Sequence, residues 1–167
     1  NIVPLFEWQG LTAAQAAAQT EKFAHFRALA NANGQAERGR QVFTTLCLAC
    51  HQQGGQGGQI APPLDGLGNT NVEALLRNIL TPSAAMQSAY RTFRVMLKDG
   101  SVRDGFLAEE TADAIILRVP GAEDSRIARA DIRQTSYLNR SLMPEGLLEA
   151  MSPAEVSDLF AYLRALK

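Results

Sequence analysis

The chain is poor in cysteine and histidine, with 2 of each among 167 residues. Two cysteines cannot build a disulfide framework, and no four-ligand Cys/His zinc site can be assembled without carboxylates. Charge of one sign is not in excess either: 16 basic and 17 acidic residues leave a formal net charge of -1. No global field therefore favours nucleic acid or an anionic membrane surface. Long apolar runs are missing, none approaching the ~20 residues of a membrane span. What the chain does have is apolar bulk. With 46% hydrophobic and 20% charged residues it can build a core, which excludes a disordered chain. Its length predicts about one domain with an appendage. The first residue is Asn1 rather than Met, so the chain reads as a mature fragment or an excised domain.

Residues 1–10 carry Pro4, Gly10 and the sole tryptophan, Trp8, and read as an extended lead-in. Thr12 caps a predicted helix running to about Asn31. Its apolar stripe is clear only in the second half, so the first half is expected to be exposed or to pack on a neighbouring domain. A second helix is predicted over 36–46, with Val42, Phe43 and Leu46 on one face and Gly39 a turn before Phe43. Residues 53–69 are Gly-rich loop containing Pro62-Pro63, and a short helix follows over 72–80. From about Tyr90 the period changes to two, with Phe93, Val95 and Leu97 alternating before Asp99-Gly100, a hairpin signal. Further strands are predicted over 101–108, 114–119 and 125–132, giving a small antiparallel module inside a helical chain. Ser141 to Gly146 reads as loop. Ser152-Pro153-Ala154-Glu155 is a capping box opening a last helix to Leu166.

Both cysteines and one of the two histidines fall within five residues, as Cys47-Leu48-Ala49-Cys50-His51. This C-x-x-C-H pattern is the attachment signature of c-type haem. Two thiols at a helix end can each add to one vinyl group of a porphyrin, and His51 then lies under the ring with an imidazole for iron. Three other readings compete. A thioredoxin-like pair follows a strand and opens a helix, whereas here a helix precedes and a Gly loop follows. A zinc site needs further ligands from carboxylates or His25. A disulfide across two intervening residues closes too small a loop to stabilise much. The opposite face of the iron has Met143 as leading candidate, in a loop stiffened by Pro144. Met86, His25 or an open five-coordinate iron are rivals. Met96 and Met151 read as packing residues.

The order of helix, CLACH, Gly-rich loop with APPLDGLG, helix, SLMPEGL and C-terminal helix resembles a class I c-type cytochrome. The likeness is closest to the haem-binding cytochrome domains at the ends of multidomain proteins in planctomycetes and verrucomicrobia. It spans about residues 35–166. The resemblance implies a mainly α, cytochrome c-like fold around one covalent haem c, with an inserted antiparallel β module at about 90–135. Residues 1–34 would form an N-terminal extension and 35–167 the cytochrome domain. It further implies Cys47 and Cys50 as thioether anchors, and His51 and Met143 as iron ligands. The Pro62 carbonyl would orient His51, and Leu64 and Leu67 would pack on the ring. Arg77, Tyr90 and Arg91 are candidates for the haem propionates. Gly39 would let the second helix cross the last one closely, with Phe43 against Phe160 or Tyr162.

The function so implied is single-electron transfer, not bond-breaking catalysis. Its partners would be a donor dehydrogenase, fused upstream or separate, and an acceptor cytochrome or oxidase, in the bacterial periplasm or another extracytoplasmic space. No nucleic acid and no membrane span are expected. The alternative is a redox- or gas-sensing module that uses the β insertion as its binding element.

Overall fold

In the computed structural model, residues 10–84 and 86–166 are described; the lead-in expected over 1–10 lies almost wholly outside them. Four helices form one body: α1 (Ala13–Ala30), α2 (Ala36–Leu46), α3 (Val72–Leu80) and α4 (Pro153–Ala165). Their starts follow local chemistry. Thr12 and Ser152 each make a reciprocal capping box, and the Asn71 side chain accepts from the Ala74 N–H. Phe26, Phe43, Leu76, Leu148, Val156, Leu159 and Phe160 are buried together, so α1 shares the core of the other three helices. The first half of α1 is mostly exposed, with Ala16 and Gln19 half-buried.

The crossing of α2 over α4 depends on what Gly39 lacks. A Cβ there would lie 1.9 Å from the Asp158 carbonyl oxygen and 2.9 Å from the Tyr162 Cβ, so only glycine lets the backbones approach this closely. Phe43 fills the space beside the crossing, its ring centroid 5.1 Å from that of Tyr162. The same contact supplies a cap. Gln35, at the start of α2, offers no side-chain cap of its own. Asp158, buried in α4, accepts from the Gln35 N–H at 2.6 Å and pairs with Arg38 at 2.9 Å.

The Gly-rich loop after α2 holds a short antiparallel pair, β1 (Gln52–Gln53) and β2 (Gln56–Gly57). A second body is all β. Strands β3 (Arg91–Leu97), β4 (Val102–Glu110), β5 (Ala114–Arg118), β6 (Ser125–Ala128) and β7 (Ile132–Ser141) form an antiparallel sheet in the order β6-β5-β4-β3-β7. The first four make a meander, and β7 returns to pair with β3. Its core is separate from the helical one and consists of Phe93, Val95, Ile115, Leu117 and Ile127. The Asp99-Gly100 turn joins β3 to β4 as expected, with the Asp99 carboxylate accepting from the Ser101 N–H at 2.8 Å.

The expectation of a mainly α chain is corrected by this sheet: the protein is mixed α and β. The module also runs past residue 135, to Ser141, because of β7. Most of that strand is exposed or half-buried, so its sequence shows no alternation of apolar and polar residues.

Replacing Gly39 with alanine should cost about 1–3 kcal/mol, through overpacking against the Asp158 backbone. Urea unfolding of the two proteins measures this; an unchanged midpoint would refute the close crossing.

Candidate functional site

The end of α2 delivers the CLACH segment. Cys47 caps the helix, its N–H donating to the Phe43 carbonyl at 2.8 Å. The turn continues beyond the helix, with the Cys50 and His51 N–H groups both donating to the Cys47 carbonyl, at 3.1 and 2.9 Å. The following loop folds back over this turn and is laced to it by backbone. Gly58 N–H reaches the Leu48 carbonyl at 2.8 Å, Ile60 reaches Cys50 at 3.2 Å, and Leu64 reaches Gln52 at 2.8 Å. Gly57 is required here twice over. Its φ is +104°, and a Cβ would sit 2.2 Å from the His51 carbonyl oxygen.

The lacing brings Pro62 against the histidine. His51 Nδ1 lies 2.7 Å from the Pro62 carbonyl oxygen. A carbonyl only accepts, so Nδ1 carries the proton and Nε2 keeps its lone pair. Burial pushes the His51 pKa below its ordinary value, more strongly than the Pro62 bond raises it, which favours the neutral ring.

Cys47, Cys50 and His51 open onto one cavity of about 490 Å³, a volume ordinary for a small-molecule or cofactor site. Its walls are chiefly apolar. Pro62, Leu64, Leu67 and Met143 line it too. Met143 arrives on the loop after β7. Its N–H donates to the Ser141 hydroxyl at 3.1 Å, and the Ser141 N–H donates to the Ser83 hydroxyl at 3.3 Å. Of the rival ligands, Met86 and Met151 also line the cavity, whereas Met96 and His25 do not. His25 is exposed on α1, its ring edge-on to Phe26 at 5.0 Å.

The thiols speak against the competing readings. Burial, with Cys50 nearby, pushes the Cys47 pKa up to about 12, and burial raises Cys50 as well. A redox dithiol needs a lowered pKa, not a raised one. Both cysteines are free, and among the described residues no cluster of three His, Cys, Asp or Glu side chains is disposed to hold a metal ion. Protonated thiols facing an apolar cavity, beside a histidine with a free nitrogen, fit a covalently anchored haem.

Of the propionate candidates, Tyr90 lines the cavity but Arg77 and Arg91 do not. Arg91 is engaged with the Leu138 carbonyl at 3.3 Å and with Asn139. No Asp, Glu, Lys or Arg lies in the cavity's described walls; their polar groups include Asn78, Gln87 and Ser141. Pro120 is a wall residue that sequence reasoning does not reveal. Pro120-Gly121 reads in sequence only as a turn, and nothing local shows that the turn between β5 and β6 reaches the cavity.

The family model described as Cytochrome c matches residues 36–117, just under half of the chain. No curated protein matches it. The family match begins at the first residue of α2 and ends within β5, so the Met143 loop and α4 lie beyond it. The CxxCH motif lies within the matched segment.

Gly57→Ala should destabilise the protein by about 2 kcal/mol or more, through positive-φ strain and collision with the His51 carbonyl. Denaturant unfolding measures the cost; stability equal to the parent would show that the loop is not laced as described.

Proposed function

We propose that this chain, which contains a cytochrome c domain, carries one covalent haem c and passes single electrons between a donor dehydrogenase and a downstream cytochrome or oxidase. The observation that carries the reading is the His51 bond to Pro62, which leaves Nε2 free in a cavity shared with Cys47, Cys50 and Met143. The bound haem supplies a one-electron ferric/ferrous couple. Cys47 and Cys50 would anchor it through thioether bonds, His51 Nε2 and the Met143 sulfur would hold the iron, and Leu64 would pack against the ring. Pro62 fixes the imidazole plane and its tautomer. A thioether ligand favours ferrous iron and raises the potential, relative to a second histidine. With His51 and Met143 both holding the iron, no position would be left for a substrate, and the chain would act as an electron carrier.

The rest of the reading follows from this role. Residues 35–167 form the cytochrome unit with the β module inserted, and 1–34 an extension whose helix packs on it. Thioether attachment places the protein outside the bacterial cytoplasm. No helix among the described residues is long and apolar enough to cross a membrane. The domain is of the haem-binding kind found at the ends of multidomain planctomycete and verrucomicrobial proteins. A gas- or redox-sensing role is the second reading, favoured by Tyr90 and Pro120, which bring the β module to the cavity wall.

Electron exchange is assigned to the cavity rim at Leu46, which is 43% exposed, and the adjoining uncharged loop, residues 52–59. A neutral contact of this kind is steered little by charge.

The ferric Met143→Ala protein should lose the sulfur-to-iron charge-transfer band that the parent shows. A spectrum that keeps the band would move the role to Met86. Ferrous parent protein should bind carbon monoxide slowly or not at all, and immediate binding would favour the sensing reading. Between about 20 and 200 mM salt the electron-transfer rate should change by less than about threefold; a steep decline would rule out the neutral docking surface.

A further inference from the structure

The β insertion leaves the helical body and returns to it at one neck. Arg91 opens β3 and Ser141 closes β7, and the two lie opposite each other in the β3–β7 ladder. The Arg91 guanidinium fastens the end of β7 a second time, through the Leu138 carbonyl at 3.3 Å and through Asn139. The returning chain is therefore placed beside the segment it left from, and the Met143 loop starts there.

Two direct hydrogen bonds run from this neck to Met143, and Ser83 is their fixed point. Behind Ser83, the Thr81 N–H and hydroxyl both donate to the Arg77 carbonyl near the end of α3, at 3.0 and 2.9 Å. Pro82 is buried, and the Ala84 N–H closes a turn on the Thr81 carbonyl at 3.0 Å, with Pro82 and Ser83 as its central residues. The Ser83 hydroxyl so placed accepts from the Ser141 N–H at 3.3 Å, across 58 positions of sequence. The Ser141 hydroxyl accepts in turn from the Met143 N–H at 3.1 Å, two residues on.

The far end of the loop is fixed by other means. Leu148 is buried in the helical core, and the Ala150 N–H donates to the Gly146 carbonyl at 3.1 Å. Met143 is nearer in sequence to Ser141 than to that anchor, so its placement is governed from the upstream side. A methionine that swings away from the cavity has to give up the bonds that hold its backbone. Each of them therefore stabilises the inward arrangement over the displaced one.

We propose that Ser83 and Ser141 are positioning residues for Met143, their two hydroxyls tying the backbone N–H groups of the ligand loop to the end of α3. The relay holds the thioether at the apolar cavity. The β insertion serves the site as the closed frame that brings Ser141 back to Ser83. This inference rests on Met143 being the iron ligand.

The test uses the haem-loaded protein and titrates the ferric form with imidazole, which competes for the position held by Met143, followed by absorption. Ser83→Ala and Ser141→Ala should each bind imidazole about fivefold more tightly than the parent, the worth of one hydrogen bond lost from the Met143-bound form alone. Ser141→Thr keeps a hydroxyl and should stay within about twofold of the parent. Thr111→Val controls for general loosening of the insertion. The Thr111 hydroxyl accepts from the Ala114 N–H at 3.2 Å in the β4–β5 turn, and Thr111 does not line the cavity, so affinity should not move. Unchanged or weaker binding in either alanine variant would overturn the relay, as would an equal gain in Thr111→Val or Ser141→Thr. If one alanine variant fails to load haem, the other decides alone. Met143→Ala, run alongside, separates the two failures: a charge-transfer band that survives in it overturns the ligand assignment and the relay together. Loss of that band with unchanged affinity in the serine variants overturns the relay alone.

Discussion

The 2.7 Å bond from His51 Nδ1 to the Pro62 carbonyl organises much of what surrounds it. A histidine side chain has two torsions to lose, and a free imidazole at the end of a helix would sample several orientations and both tautomers. One acceptor at Pro62 removes the freedom and assigns the proton. Pro62 is held in place because the loop between it and the motif is stitched to the motif backbone, through Leu48, Cys50 and Gln52. The stitching works only because Gly57 and Gly58 pass closer to the His51 and Ala49 carbonyls than any side chain allows. The Gly-rich stretch, which in composition resembles a flexible linker, is therefore among the more constrained parts of the chain.

The two cores divide the labour differently. The helical core is set by Gly39 and Asp158, one by omission of a side chain and the other by a buried carboxylate that caps its neighbour helix. The sheet core is small and closed on itself. What joins the two bodies to the site is loop and turn: Tyr90 before β3, Pro120 after β5, and the segment from Ser141 to Pro144 after β7. The insertion is thus anchored at both ends on the cavity wall and touches it once in the middle.

Legibility from sequence follows the strength of local signals. The helix at 36–46, its continuation into CLACH and the capping box at Ser152 are all readable, since each depends on side chains a few positions apart. Strands β3 and β5 are readable because apolar residues mark their buried faces. Strand β7 is not, because it pairs with β3 through its backbone while its side chains, Tyr137 at 50% exposed among them, stay largely in solvent. Within the site, Cys47, Cys50 and His51 are evident from spacing. The roles of Asp158 and Pro120 are not, because each is defined by a partner far along the chain.

Charge placement supports the same electron-carrier reading from another side. The β module is rich in arginine, and several of its guanidinium groups are paired within the module. Arg94 grips Asp104 with two bonds of 2.7 Å and shares it with Arg140, Arg118 holds Asp124 at 2.8 Å, and Arg129 pairs with Glu110. Exposed pairs like these add little stability, but they leave little net field to project from the module. The cavity's described walls, in turn, carry no charged side chain. A cofactor held there would meet an apolar surround on its faces, which penalises the more highly charged ferric iron centre and raises the potential. Thioether ligation by Met143, as proposed, would push the same way. Near-zero net charge, internally paired arginines and an uncharged cavity wall thus fit the proposed redox centre, whose potential would be set by burial and ligand identity rather than by fixed charges.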